Sequence, residues 1–178
     1  MNMNFFKTLV NYRELIWELT LGEIRQKYHS SVLGYLWSLV EPLALFIILY
    51  VVFSQLMRIT IEYYQLYLLL GILLWNFFTR GTSLGLSGIV KNTPLVTKIY
   101  FPREILIIAI TCGMFIVTLL EFFIFIFFLV FFQVPIHIQM LFFPVILLLF
   151  VFFIYGISLT LSALFVRYRD IQFIWPLI

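Results

Sequence analysis

The stretch ILIIAITCGMFIVTLLEFFIFIFFLVFF, residues 105–132, holds a single charge, Glu121. A helix needs roughly 20 apolar residues to cross the hydrocarbon core of a bilayer, so this run is long enough with some tilt. Lipid cannot satisfy the edge of an open strand, which excludes isolated sheet. A barrel strand alternates with a period of two, and Phe122-Phe123-Ile124-Phe125-Ile126-Phe127-Phe128 does not. The run is a membrane helix, and it sets the class of the whole chain.

Three more runs of this kind lie around it, at 32–57, 67–90 and 140–166. Each also exceeds the length a span requires. The expectation is an all-α integral membrane protein with four complete spans. A fifth run opens at Ile171 and stops at Ile178, as expected of a chain shortened at its C-terminus. Hydrophobic residues make up 64% of the 178 and charged residues 11%, against roughly 45–50% and ~25% in ordinary soluble domains. That balance excludes a soluble enzyme, a disordered tail and a secreted disulfide scaffold. Cys112 is alone, so no intrachain disulfide can form. Residues 1–31 carry Lys7, Arg13, Glu14, Glu18, Glu23, Arg25 and Lys27 with no unbroken apolar core, which does not fit a removable signal peptide.

Basic residues orient the spans. Lys7, Arg13, Arg25 and Lys27 precede the first, Lys91, Lys98 and Arg103 lie between the second and third, and Arg167 and Arg169 follow the fourth. Arg58 stands alone on the other side. The N-terminus, the 91–104 loop and the 167–170 loop are therefore expected in the cytoplasm, with only the short 58–66 and 133–139 loops outside.

Phe5, Leu9, Tyr12, Ile16 and Leu19 recur at spacings of 4, 3, 4 and 3. That stripe predicts an amphipathic helix lying on the membrane face, with a helix packed on the bundle as the alternative. Gly22 is expected to break or bend it, and Glu23 and Lys27 are spaced as a helical pair. In the 91–104 loop, Thr93 is expected to cap a short helix that Pro94 opens. Pro102 ends it, because a residue before proline leaves helical geometry. About two turns over 94–101 would then carry Leu95, Val96, Ile99 and Tyr100, an apolar load that suits either lipid or a groove on a partner protein. Glu104 falls in the first turn of the third span, where the helix dipole favours an acid.

Glu41, Arg80 and Glu121 fall inside membrane runs, where ionisable groups are costly unless paired or facing water. Counting helical rise from the ends of their runs puts all three at similar depth. Arg80 can pair with either acid, as a clasp between helices or as the polar lining of a path. Gly81 and Gly85 form a GxxxG pattern that permits close helix contact or leaves room for a bulky substrate. Pro42 and Pro144 are candidate kinks. Tyr35, Trp37, Tyr63, Tyr64 and Trp75 fit interfacial belts.

No glycine begins a GxxxxGK[ST] motif, so the chain has no nucleotide-binding loop of that type. His29 and His137 are isolated, which suggests no metal site, and no nucleophile–base arrangement suggests an enzyme. Nothing points to a nucleic-acid partner.

Four blocks carry a resemblance: SVLGYLWSLVEPL (31–43), LLLGILLWNFF (68–78), IVKNTPLVTKIYFPRE (89–104) and RYRDI (167–171). In this order they resemble the permease subunit of ABC-2 type exporters of bacterial polysaccharides: O-antigen, capsule and teichoic acid. The resemblance implies a homodimer of six-span subunits in the inner membrane, each seated on a separate cytoplasmic ATPase. ATP and magnesium would be bound by that ATPase and no cofactor by this chain. It also implies a coupling segment comprising Thr93, Pro94, Leu95, Val96, Lys98, Ile99, Tyr100, Pro102, Arg103 and Glu104. The 5–30 helix would be the interface helix beside it, and a lipid-linked glycan the cargo. Drug or lipid export by a related permease is an alternative, as is a membrane subunit that transports nothing.

Overall fold

The computed structural model describes residues 5–28, 34, 36–53, 62–135 and 138–177, and they form helices and turns without a strand. Helix α1 is Phe5–Asn11, α2 Arg13–Tyr28, α3 Leu36–Val51 and α4 Tyr64–Lys91. The short α5 spans Thr93–Lys98, and the long α6 spans Glu104–Phe131. A 3-10 turn, Ile138–Phe142, leads into α7, Phe143–Arg167. Helix α8, Ile171–Ile174, and a 3-10 turn, Trp175–Leu177, follow.

Helix α4 is central and packs against α7, α6 and α3. Its glycines explain the closeness. A Cβ added at Gly85 would stand 2.5 Å from Ser158 Cβ and 3.3 Å from Ser158 Cα. The α4 backbone therefore lies directly against the Ser158 side chain of α7, with no room for a second side chain between them. One at Gly88 would strike Ile110 of α6. The glycine face is thus filled by protein and holds no room for cargo. Gly85→Ala is expected to cost about 1–3 kcal/mol by overpacking. Gly71→Ala, with nothing within 4 Å, should be neutral or stabilising. Thermal unfolding of the detergent-solubilised variants checks both.

Apolar layers fill the bundle. Phe46, Leu69, Leu73, Phe122 and Leu147 join α3, α4, α6 and α7 near one end. Ile24, Phe77, Met114, Val117 and Ile154 continue the core with a contribution from α2. Buried hydroxyls fold back on their own helices: Thr82 Oγ1 donates to Phe78 O, Thr111 to Ile107 O and Thr118 to Met114 O. Each polar group is thereby satisfied without water. The outward faces of α6 and α7 carry Phe123, Phe127, Phe131, Val145, Leu149 and Phe152, all exposed. Water would oppose such a surface and hydrocarbon accepts it. Glu104–Phe131 and Ile138–Arg167 are each long and apolar enough to cross a membrane. The run at 32–57 is described as α-helix over Leu36–Val51 with a π-type continuation at 52–53, and Arg58 lies outside the described residues.

Several local expectations are corrected. The N-terminal interruption falls at Tyr12, and α2 runs unbroken through Gly22. A mid-helix glycine costs only about 1 kcal/mol, and the packing of Thr20 and Ile24 on either side offsets it. Pro144 sits in the first turn of α7, where a missing N–H costs no hydrogen bond, so it starts the helix and does not kink it. Pro42 does lie inside α3. Past Ile174 the chain tightens into a 3-10 turn at Pro176, which lacks the donor an α-helix would use. Trp175 Nε1 there donates to Thr82 Oγ1 at 3.0 Å, and the ring lies 6.1 Å from that of Phe78. The tail is thus fastened to the middle of α4.

Candidate functional site

Arg80 leaves α4 between two acids. Its Nη1 donates to Glu121 Oε1 of α6 at 2.7 Å, and its Nη2 lies 2.8 Å from Glu41 Oε2 of α3. The choice that the sequence leaves open resolves as both partners at once. The planar guanidinium, with donors on two separate nitrogens, is suited to bridging two carboxylates. The partners differ in surroundings. The Glu121 side chain is 1% exposed, Arg80 19% and Glu41 64%. Glu121 is therefore the buried anchor, and Glu41 faces open space. The Nη2 contact is an ion pair without hydrogen-bond geometry.

That open space is a cleft of about 510 Å³. Helix α4 gives it Thr79, Arg80, Ser83 and Lys91, and α3 gives Glu41. Helix α2 adds Glu23 and Gln26, while Leu84 and Met114 supply apolar wall. Glu23 also accepts a long hydrogen bond, 3.5 Å, from Asn92 Nδ2. The pairing expected of Glu23 with Lys27 falls on a side chain outside the described residues.

The loop after α4 differs from its expected form. Asn92 is the N-cap of α5, and Thr93 is already helical, its hydroxyl donating to Val90 O at 2.6 Å. Pro94 lies in the first turn. The helix ends at Lys98, because Ile99 is already extended at φ −124° and ψ 130°. The restriction imposed by Pro102 acts on Phe101 alone, so it sets a limit that the helix does not reach. The apolar load divides accordingly. Leu95 and Val96 turn inward with Phe101, against Ile105, Leu106 and Ile110. Ile99 is 50% exposed and Tyr100 93%. Lys98 and Arg103 are exposed on either side of this tip, Pro102 is half-buried, and Glu104 opens α6. The sequence marks Phe101 as extended before Pro102 but not as part of the core it joins.

The N-terminal stripe also meets protein. Tyr12, Leu15, Ile16 and Leu19 pack on the same cluster around Phe101, Ile105 and Leu106. Thr20 Oγ1 donates to Ala109 O at 3.2 Å. The predicted surface-lying helix is thus docked on α6, because Thr20 and Ile24 extend its stripe into the core. Leu9 is half-buried, and the Phe5 side chain lies outside the described residues. Among the described residues no three of His, Cys, Asp and Glu cluster to hold a metal. His29 and His137 lie outside them.

A helical membrane chain with a buried charge clasp and a short helix on the loop between two long helices invites comparison with transporters. The sequence profile of the ABC-2 type transporter family matches residues 14–178. The chain belongs to the ABC-2 type transporter family. It is 33% identical over 93 residues to an O-antigen export system permease protein RfbA of Klebsiella pneumoniae, covering 52% of this chain and 36% of that one. The corresponding permease of Myxococcus xanthus is 30% identical over 100 residues, covering 56% and 38%. Each match thus takes in about half of this ABC-2 chain and little more than a third of its relative.

Proposed function

We propose that this chain is membrane-spanning permease structure of an ATP-driven exporter. Its cargo in this reading is a lipid-linked polysaccharide of the O-antigen, capsule or teichoic-acid type, and the barrier is the cytoplasmic membrane. The observation that carries the reading is the similarity to permeases named for O-antigen export within the ABC-2 family. The exposed Ile99–Tyr100 tip supports it, since a two-residue apolar projection between Lys98 and Arg103 suits a groove on a soluble partner. That partner would be a cytoplasmic ATPase carrying ATP and magnesium, with a second copy of this chain completing the path. Disrupting the gene should remove the surface polysaccharide and leave its lipid-linked precursor inside. Unchanged surface polysaccharide with altered drug sensitivity would point instead to a drug exporter of the same family.

Orientation has its own test. In this reading the N-terminus and α5 face the cytoplasm, which the excess of Lys and Arg on one side supports. With Cys112→Ser as background, Thr97→Cys should react with an impermeant maleimide only in opened cells, and Glu62→Cys in intact ones. The opposite pattern would reverse the topology.

A further inference from the structure

We infer that the cleft beside Arg80 receives the sugar portion of the cargo and not its charged headgroup. This rests on the polysaccharide reading of the preceding subsection. The first support is the disposition of charge. Glu23 and Glu41 line the cleft, and Glu121 stands behind Arg80, against two cations, Arg80 and Lys91. Arg80 is already held between two carboxylates at 2.7 and 2.8 Å. Among the described lining residues Lys91 is the cation without a carboxylate partner, and Glu23 shares its wall. Among the described lining residues two acids balance two cations, so a diphosphate would find no excess of positive charge there, unlike the setting of a phosphate clamp.

A neutral ligand rich in hydroxyls fits the same groups without needing that excess. Carboxylate oxygens accept from its hydroxyls, while Gln26, Ser83 and Lys91 donate. Among the described residues the side chains of these three have no hydrogen-bond or ion-pair partner, so their capacity is unspent. Arg80 and Lys91 are eleven positions apart on α4 and so about 16 Å apart along the helix. The volume, about 510 Å³, lies within the roughly 300–1,000 Å³ of small-molecule sites. Leu84 and Met114 give apolar patches for the C–H faces of sugar rings.

The test is photocrosslinking in cells that assemble the glycan, with the full chain and its ATPase. Ser83→benzoylphenylalanine and Gln26→benzoylphenylalanine place the probe on two walls of the cleft. Phe152→benzoylphenylalanine places it on the exposed outer face of α7. At least one cleft variant should give a carbohydrate-bearing adduct tenfold above the α7 control, and blocking sugar assembly upstream should abolish it. Adducts that hold only phospholipid, or only a polyprenyl diphosphate, would overturn the proposal. So would no adduct at either cleft position while the unsubstituted chain restores export. If the unsubstituted chain restores no export, the polysaccharide reading fails first, and the two failures stay distinct.

Discussion

Arg80→Met should leave little folded protein, and Arg80→Met combined with Glu121→Gln should recover much of it. Glu121 is almost completely buried, and its carboxylate holds the guanidinium at 2.7 Å. Removing one partner of a buried ion pair typically costs about 3–5 kcal/mol, because a desolvated charge is left behind. Neutralising Glu121 as well removes the cause of that cost. Glu41 contributes far less, since an exposed pair is worth roughly 0–1 kcal/mol, and Glu41→Gln should unfold nothing. Arg80→Lys should fall between, as one ammonium cannot present two separated donors to two acids. The measurements are the yield of monodisperse protein in detergent and its thermal midpoint. Equal yields for Arg80→Met and the double variant would show that the clasp holds nothing together.

On the proposed function, replacing both Ile99 and Tyr100 with aspartate should detach the partner ATPase while the membrane helices still insert. Both side chains point away from the bundle, and neither belongs to α4 or α6. Burying one aliphatic and one aromatic side chain in a partner is worth roughly 3–6 kcal/mol, or two to four orders of magnitude in affinity. Leu95→Asp or Phe101→Asp should act differently. These residues pack on Ile105 and Leu106, so charge there should destabilise the fold itself. Co-purification of the ATPase, normalised to folded permease, separates the two effects. Undiminished recovery with the Ile99/Tyr100 variant would mean that the partner docks elsewhere.

The class of the fold is legible because lipid admits few solutions. A run such as 105–132 can only be a helix, and the three charges in such runs have to be accounted for. That Arg80 takes both acids is not legible, because depth along a helix says nothing about the direction a side chain faces. The role of Gly85 depends on the position of Ser158, which lies on a different helix beyond a whole intervening span. The end of the helix in the 91–104 loop is not legible either, since a proline marks the furthest reach of a helix and not its actual stop. Ile99 and Tyr100 thus stand out, while Leu95 and Val96 do not. The N-terminal stripe is legible as one apolar face, but periodicity cannot tell a lipid surface from the flank of another helix.

The bond from Thr20 to Ala109 joins residues 89 apart in the chain, which imposes an order on synthesis. Chains grow at about 5–20 residues per second, so α2 leaves the ribosome roughly 4–18 s before its seat on α6 exists. For that interval its stripe lacks its seat on Ile105 and Leu106, and the bilayer is an apolar surface within reach. A helix that rests first on the membrane has to release it before it can dock on α6, so the apolar strength of its stripe acts on both steps. A substitution such as Ile16→Trp would both tighten the first hold and crowd the seat on Phe101 and Ile105.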